Sequence, residues 1–151
     1  MRRRPGLDEF LRRAATFADL GVWSSASDSY VREIVARSFP KELSLRFTWG
    51  RTRCTRQYDA EHHNEYWVKD LKKLRRLGFS LERILIVDDS PEKVERNYGN
   101  HVPIEPFYGD LNDHVLNSLG SYLEGFADFP NVRAVEKRAW HPRNQPPTIP
   151  N

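Results

Sequence analysis

The sequence predicts an α/β domain in which helices pack on both faces of a doubly wound, mainly parallel sheet. Its apolar residues switch repeatedly between the spacing of three and four that is typical of amphipathic helices and short runs of strand length. The run at 84–87 is apolar at every position, which is typical of a central parallel strand buried on both faces. Because alternating helices and strands usually build parallel sheets, we expect a doubly wound fold.

Length and charge favour one cytoplasmic domain. The 151 residues suffice for a single core, and a net charge of +3 is modest for a nucleic-acid-binding protein, so we expect no nucleic-acid partner. We also expect no membrane partner, because no apolar run is long enough to span a bilayer and the basic N-terminus does not resemble a secretory signal. Cys54 stands alone, which excludes an intrachain disulfide. The domain is predicted at 4–140, followed by a disordered, proline-rich tail at 141–151.

The first third of the chain is predicted to run helix, strand, helix, strand. A helix is expected from Leu7, because apolar residues recur at helical spacing up to position 17 and acidic residues occupy the first turn. The apolar residues of 20–23 predict a short strand, and the small residues that follow predict a turn that caps a second helix. Apolar and polar residues alternate over 43–49, which predicts a half-buried strand closed by Gly50.

The remaining elements are less regular. Polar residues fill 51–65, for which we predict a loop, and a helix with apolar positions 71, 74 and 77 then ends at Gly78. After the strand at 84–87 we predict a short strand at 102–104. A long helix with one apolar face is predicted over 111–126.

Polar groups follow several of these strands, at the edge where open parallel sheets bind their ligands. Ser24 and Ser25 offer hydroxyls to a phosphoryl oxygen, and Lys69 offers an ammonium group. Asp88 and Asp89 offer carboxylates to a hard cation such as Mg²⁺. This set of groups suits phosphoryl transfer, in which catalysis is mostly positioning and neutralisation of charge.

Each of these groups also has an ordinary structural explanation. A serine-rich turn commonly caps a helix, and a lysine after a strand is commonly solvated. The Asp-Asp-Ser-Pro sequence commonly starts a helix. The residues by themselves therefore leave both interpretations open.

Four segments of the chain together carry a family resemblance. They are Arg-Pro-Gly-Leu-Asp-Glu-Phe-Leu at 4–11, Val-Trp-Ser-Ser-Ala-Ser at 22–27, Trp-Val-Lys-Asp-Leu at 67–71, and Ile-Val-Asp-Asp-Ser-Pro-Glu-Lys at 86–93. In this order and spacing the chain resembles the NLI-interacting-factor-like phosphatases of the haloacid dehalogenase superfamily, which are similar to the RNA polymerase II carboxy-terminal-domain phosphatases. The resemblance extends over about 4–140 and implies their Rossmann-like, doubly wound parallel sheet.

The resemblance implies a role for each candidate residue. Ser25 matches the Ser/Thr that hydrogen-bonds the transferred phosphoryl group, and Ser24 stands beside it. Lys69 matches the lysine that orients the nucleophile and offsets charge. Asp88 matches the acid that binds Mg²⁺, and Asp89 falls where relatives carry a further metal or water ligand.

The polar stretch after the second strand matches a small insertion that borders the substrate cleft in relatives. Arg51, Arg53 and Arg56 in this stretch are therefore candidates to contact an acidic or phosphorylated substrate. The alternative for these arginines is an ordinary solvated surface.

One motif of the family has no counterpart in this sequence. The family's nucleophile is the first Asp of an Asp-x-Asp motif on a strand before the Arg-Pro-Gly helix, and the second Asp is its general acid and base. No aspartate here is followed by another aspartate two residues on. We therefore expect a truncated family member that lacks the first strand of the sheet.

The function implied by the resemblance is a magnesium-dependent hydrolysis of phosphoesters, phosphoproteins among them, through an aspartyl-phosphate intermediate. Without the nucleophile we expect this chain to be inactive. Two alternatives stay open: a non-catalytic remnant that binds phosphate or a protein partner, and a missing strand that another chain supplies. Because strands next to a missing strand have unpaired edges, we also expect self-association.

Overall fold

The computed structural model describes residues 2–141, and these form two compact units. The first unit is made of Met1–Lys69 and Phe107–Asp128 and the second of Asp70–Pro106 and Phe129–Asn151, in each case as far as the residues are described. The tail predicted at 141–151 lies outside the described residues except for His141. Within 2–141, no helix is long and apolar enough to cross a membrane.

The first unit contains three α-helices: α1 (Leu7–Ala15), α2 (Asp28–Ser38) and α3 (Val115–Glu124). The first turn of α1 is acidic and its last turn is basic, which suits the helix dipole at both ends. The Ser27 hydroxyl caps α2 by accepting a hydrogen bond from the Tyr30 backbone N–H. The predicted helix starts near Leu7 and after the serine turn are thus confirmed.

A parallel pair of strands in the first unit supports the serine loop, which consists of residues 24–27 between the first strand and α2. β1 (Leu20–Trp23) pairs with β2 (Leu45–Trp49), and Trp23 lies opposite Trp49 in the register. Trp49 is buried, and its ring packs edge-on against the Trp23 ring with the centroids 4.9 Å apart. Both predicted strands are confirmed, although β2 begins only at Leu45.

The polar stretch after β2 is a hairpin, so the prediction of a loop over 51–65 was wrong. A 3₁₀ turn at Arg51–Arg53 leads into β3 (Thr55–Asp59), which pairs antiparallel with β4 (Asn64–Val68). Side chains of β3 alternate between half-buried and exposed, as in any one-sided strand. This alternation cannot be recognised from hydrophobicity, because the inward positions of β3 carry polar residues: Thr55, Gln57 and Asp59.

The second unit is built from short elements. β5 (Ile86–Asp88) pairs in parallel with β6 (His101–Pro103), and 3₁₀ helices form at Leu71–Leu77, Leu81–Arg83, Pro91–Asn100 and Val132–Ala134. A small core contains Leu71, Leu74, Val94, Val102 and Val132. The helix expected to end at Gly78 is confirmed, as a 3₁₀ rather than an α-helix, and Gly78 adopts a φ of +90° that favours glycine.

The apolar run at 84–87 was wrongly predicted to be buried on both faces. Its strand covers only Ile86–Asp88, and Val87 is 37% exposed. Among the described residues, β5 is hydrogen-bonded to one strand, β6. Within 2–141 the strands thus form three two-stranded sheets. The β1–β2 and β5–β6 pairs are parallel and the β3–β4 pair is antiparallel, which gives an α/β arrangement together with the helices.

The last predicted helix is shorter than its apolar pattern. It was expected over 111–126, but α3 begins at Val115 and Leu111 is 85% exposed. The buried Asp113 carboxylate accepts a hydrogen bond from the Val115 backbone N–H and also pairs with Arg4 at 2.9 Å. Since this carboxylate satisfies the first amide of the helix, the helix starts after it.

Candidate active site

The loop after β1 leaves one serine hydroxyl unused. The Ser24 backbone N–H donates to the Trp49 carbonyl oxygen at 2.9 Å, which extends the β1–β2 ladder by one bond. The Ser24 hydroxyl accepts a hydrogen bond from the Ala26 backbone N–H at 3.1 Å. The half-buried Ser25 side chain makes no hydrogen bond with any described residue. Ser24 therefore shapes the loop, and the Ser25 hydroxyl is available to a ligand.

Arg51 fastens the same loop. Its backbone N–H donates to the Ala26 carbonyl oxygen at 2.8 Å, and its Nε donates to the Ser25 carbonyl oxygen at 2.9 Å. Its guanidinium also lies 5.5 Å from the centroid of the Trp67 ring. Arg51 is exposed but held in place beside Ser25, unlike a freely solvated side chain.

The other two candidate arginines have structural contacts of their own. The Arg53 guanidinium lies 4.8 Å from the centroid of the Trp49 ring. Arg56 forms an ion pair across the hairpin with Glu65. Arg51 is the arginine whose hydrogen bonds to the serine loop are described above.

Asp28 ties α2 to the turn after β2. Its Oδ2 accepts a hydrogen bond from the Thr52 hydroxyl at 2.6 Å and its Oδ1 one from the Thr52 backbone N–H at 3.3 Å. The Thr52 hydroxyl lowers the pKa of Asp28, against the opposing effect of burial. Sequence reasoning missed this positioning residue, since an acid in the first turn of a helix usually serves the dipole alone.

Lys69 directly follows β4 and is only 6% exposed, so the solvated alternative is wrong for this lysine. The register pairs Val68 with Thr55, and Cys54, just before Thr55, places its Sγ 4.0 Å from the Ser24 carbonyl oxygen. The hairpin therefore returns the chain at Lys69 towards the base of the serine loop.

Asp70 anchors the segment after Lys69 within the second unit. Its carboxylate accepts a hydrogen bond from the Lys72 backbone N–H at 3.1 Å and pairs with Arg96 at 3.0 Å. Burial works to raise the pKa of Asp70, but the hydrogen bonds from Arg96 and Lys72 prevail and lower it. Sequence reasoning passed over Asp70, although it lies inside the motif at 67–71.

Asp88 and Asp89 stand at the end of β5, also in the second unit. Asp88 is 8% exposed, its Oδ1 accepts a hydrogen bond from the Ser90 backbone N–H at 2.9 Å, and its carbonyl oxygen accepts one from His101 Nε2 at 2.8 Å. Asp89 is exposed and accepts a hydrogen bond from the Ser90 hydroxyl at 2.9 Å. The chain thus turns directly at these two carboxylates.

These carboxylates suit Mg²⁺ by their chemistry. Within 2–141, no group of three or more His, Cys, Asp or Glu residues is arranged to hold a metal ion. Mg²⁺ differs from Zn²⁺ in needing no such cage, because proteins usually hold it by one or two carboxylates together with water and substrate phosphate. The donor set of Asp88 and Asp89 is therefore compatible with this ion.

The described elements belong to the α/β class and are consistent with a phosphatase fold. A family model described as NLI interacting factor-like phosphatase matches residues 1–133. The chain belongs to this family.

Individual relatives agree. The chain is 30% identical to the human CTD small phosphatase-like protein over 138 residues, which cover 90% of this chain and 46% of that protein. It is 29% identical to human carboxy-terminal domain RNA polymerase II polypeptide A small phosphatase 1 over 135 residues, covering 88% of this chain and 47% of that protein. It is also 30% identical to the mitochondrial import inner membrane translocase subunit tim50 of Neurospora crassa over 138 residues, 89% of this chain and 24% of that protein. The chain thus spans half or less of these relatives.

Proposed function

We propose that this chain carries the phosphoester-binding part of a haloacid-dehalogenase-type, magnesium-dependent phosphatase. The observation that carries the proposal is the Ser25 hydroxyl, which has no hydrogen-bond partner among the described residues while the loop around it is fully braced. A preorganised donor of this kind suits an oxyanion, because no reorganisation is needed when the ligand binds.

The neighbouring residues add positive charge and orientation. The Ser25 hydroxyl donates to a phosphoryl oxygen, and Arg51, held by its bond to the Ser25 carbonyl oxygen, directs its remaining N–H groups at the same ligand. Lys69 supplies a buried ammonium group that offsets the charge of the phosphoryl group. Asp88 and Asp89, in the second unit, would hold Mg²⁺, an ion that supplies positive charge to phosphoryl oxygens.

The substrate class follows from the relatives. One relative is named CTD small phosphatase-like protein, and another is named carboxy-terminal domain RNA polymerase II polypeptide A small phosphatase 1. We therefore propose that the ligand of this chain is a phosphorylated protein segment, and that the exposed β3–β4 hairpin with its arginines faces it.

Turnover requires a nucleophilic carboxylate. The 151 residues contain no Asp-x-Asp pair, so the chain by itself binds the phosphoester without cleaving it. The second candidate is a protein whose function is binding alone. It is supported by the serine loop, whose Ser25 hydroxyl is available to a ligand whether or not catalysis follows.

A binding experiment tests the proposal. The ¹⁵N-labelled chain is titrated with phenyl phosphate, with and without MgCl₂, while the backbone amide signals of Ser24 and Ser25 are followed. Loss of one hydrogen bond to a charged group costs about 1.5–3 kcal/mol, so Ser25→Ala should weaken binding roughly tenfold or more.

The matched control is Ser118→Ala. Ser118 is exposed on α3 in the same unit, and its hydroxyl makes no hydrogen bond with a described residue. Equal affinity for phenyl phosphate in the Ser25 variant and in the control would refute the role of Ser25.

A further inference from the structure

A cavity of about 240 Å³ lies within the second unit, away from the serine loop in sequence and composed of other residues. One wall is formed by the segment around Tyr98 and His101, and the other by Arg133, Glu136, Lys137 and Arg138. Sites for drug-sized ligands usually enclose about 300–1,000 Å³, so this cavity suits a ligand of only a few heavy atoms.

The wall at 131–138 is held rigidly by its own hydrogen bonds. The Asn131 side chain accepts a bond from the Arg133 backbone N–H at 3.0 Å. The Lys137 ammonium, whose residue is 3% exposed, donates to the carbonyl oxygens of Val132 at 2.6 Å and Val135 at 2.7 Å. The two walls meet closely at Gly99, where a Cβ atom would lie 3.2 Å from the Arg133 Cβ.

The acidic residue of the cavity, Glu136, already has hydrogen-bond partners for its carboxylate. The Tyr98 hydroxyl donates its one proton to the Glu136 carboxylate, both oxygens of which lie 3.0 Å from it. Arg138 adds its backbone N–H at 2.9 Å and its Nε at 3.1 Å. These bonds, led by the Arg138 backbone N–H, lower the pKa of Glu136 to about 2. Glu136 is thus committed to Tyr98 and Arg138.

Two cations of the cavity form no ion pair with a described residue, although Glu82 acts electrostatically on Arg133 and Glu136 on Lys137. The Arg133 guanidinium forms no hydrogen bond or ion pair within the described residues. The Lys137 ammonium has three N–H donors, of which two are used by carbonyl oxygens. Burial lowers the pKa of Lys137, Glu136 opposes this effect, and Arg133 adds to it. Lys137 is buried and Arg133 is exposed. Because a buried charge is normally paired, the Lys137 ammonium is the group that most needs an anion, and the Arg133 guanidinium stands beside it without an ion pair.

We propose that this cavity binds a small oxyanion, with Arg133 and Lys137 as its cationic donors. A phosphate or a carboxylate group matches the planar fork of Arg133 and the remaining donor of Lys137. Tyr98, Glu136 and Arg138 form one side of the site. Glu136 accepts a hydrogen bond from Tyr98, and the Arg138 guanidinium lies 5.5 Å from the Tyr98 ring centroid. The site does not depend on the proposed phosphatase function.

The test uses the full chain, labelled with ¹⁵N and titrated with sodium phosphate at constant ionic strength. Saturable shifts of the backbone amides of Gly99 and Arg133 are expected. Arg133→Gln and Lys137→Met should each weaken this binding about tenfold, because each removes a charged hydrogen bond. If Lys137→Met does not fold, Arg133→Gln decides alone, since the Arg133 side chain forms no hydrogen bond or ion pair with a described residue.

Two controls separate this cavity from other effects of phosphate. Arg76→Gln, at an exposed arginine of the same unit with no partner among the described residues, should bind as the wild type does. Ser25→Ala should weaken the binding that shifts Ser24 and residue 25 and leave the shifts of Gly99 and Arg133 unchanged.

A parallel titration with sodium acetate distinguishes a carboxylate from a phosphate ligand. The anion whose titration shifts the Gly99 and Arg133 amides at the lower concentration identifies the chemical class of the ligand. Absence of saturable shifts with both anions, or unchanged affinity in Arg133→Gln, would overturn the proposal.

Discussion

Gly50 and Asp28 are in such close contact that no side chain could replace the glycine hydrogen. A Cβ atom at Gly50 would lie 2.3 Å from the Asp28 Oδ1 and 2.7 Å from its Cα. Gly50 has an extended backbone with φ of −112°, so it is required for space and not for its conformation. Because of this contact, the start of α2, which directly follows the serine loop, lies against the residue that follows β2.

We predict that Gly50→Ala destabilises the chain by about 2 kcal/mol, the usual range of overpacking, because the clash is partly with backbone. Urea unfolding followed by circular dichroism measures this. Gly125→Ala is the control, since a Cβ there approaches the Tyr122 carbonyl oxygen no closer than 3.3 Å. Equal stability of the two variants would show that α2 moves away from Gly50 at little cost.

The regular elements around this contact could be predicted from the sequence. Leu20, Val22 and Trp23 mark β1 by hydrophobicity, and Ser27 marks the start of α2 by its capping chemistry. Local patterns sufficed here because each element buries an apolar side against the core.

Tertiary contacts decided the rest. The β3–β4 hairpin was missed because its inward residues are polar. Val87 is 37% exposed although every residue of its run is apolar. The start of α3 depends on Asp113, which also pairs with the distant Arg4. None of these relationships is visible in a short window of sequence.

The candidate site was likewise predictable from the sequence only in part. Ser25, Lys69, Asp88 and Asp89 were chosen from motifs, and their roles in binding stay predictions. The brace by Arg51 and the tie between Asp28 and Thr52 were not foreseen, because they join residues more than 20 positions apart.

The Glu136 carboxylate should make stability depend on pH in the acid range. Its pKa is about 2 in the folded chain, against an ordinary value of 4.5, so its contribution is complete above pH 4.5 and is lost as the pH falls towards 2. Glu136→Gln should therefore lose less stability than the wild type between pH 6 and pH 2.5, as measured by urea unfolding.

Glu92→Gln serves as the control for this pH dependence. Glu92 is exposed in the same unit and has no partner among the described residues. This variant should keep the wild-type dependence on pH. A Glu136→Gln variant that also kept it would contradict the assignment.

Self-association through open strand edges is a further expectation. β1 and β5 each have one hydrogen-bonded neighbour among the described residues, and open edges favour pairing with another chain. Sedimentation velocity over a range of concentrations should show oligomers, and Val87→Lys on β5 should reduce them, because charge on an edge strand opposes pairing.

Leu77→Lys distinguishes edge pairing from general apolar adhesion. Leu77 is 44% exposed but belongs to a 3₁₀ helix, so its replacement should leave the oligomers unchanged. A wild-type chain that stays monomeric at all concentrations would rule out the expectation.

The chain should bind phosphoesters without turning them over. In the proposed reaction the phosphoryl group passes to an aspartate carboxylate, and no aspartate of these 151 residues is followed by another two positions on. Release of para-nitrophenol from para-nitrophenyl phosphate should therefore stay at the background rate with and without MgCl₂. The control is Asp88→Asn, which removes a proposed Mg²⁺ ligand and should give the same background. Magnesium-dependent release by the wild type that Asp88→Asn abolishes would mean that another carboxylate of this chain, near Asp88, accepts the phosphoryl group.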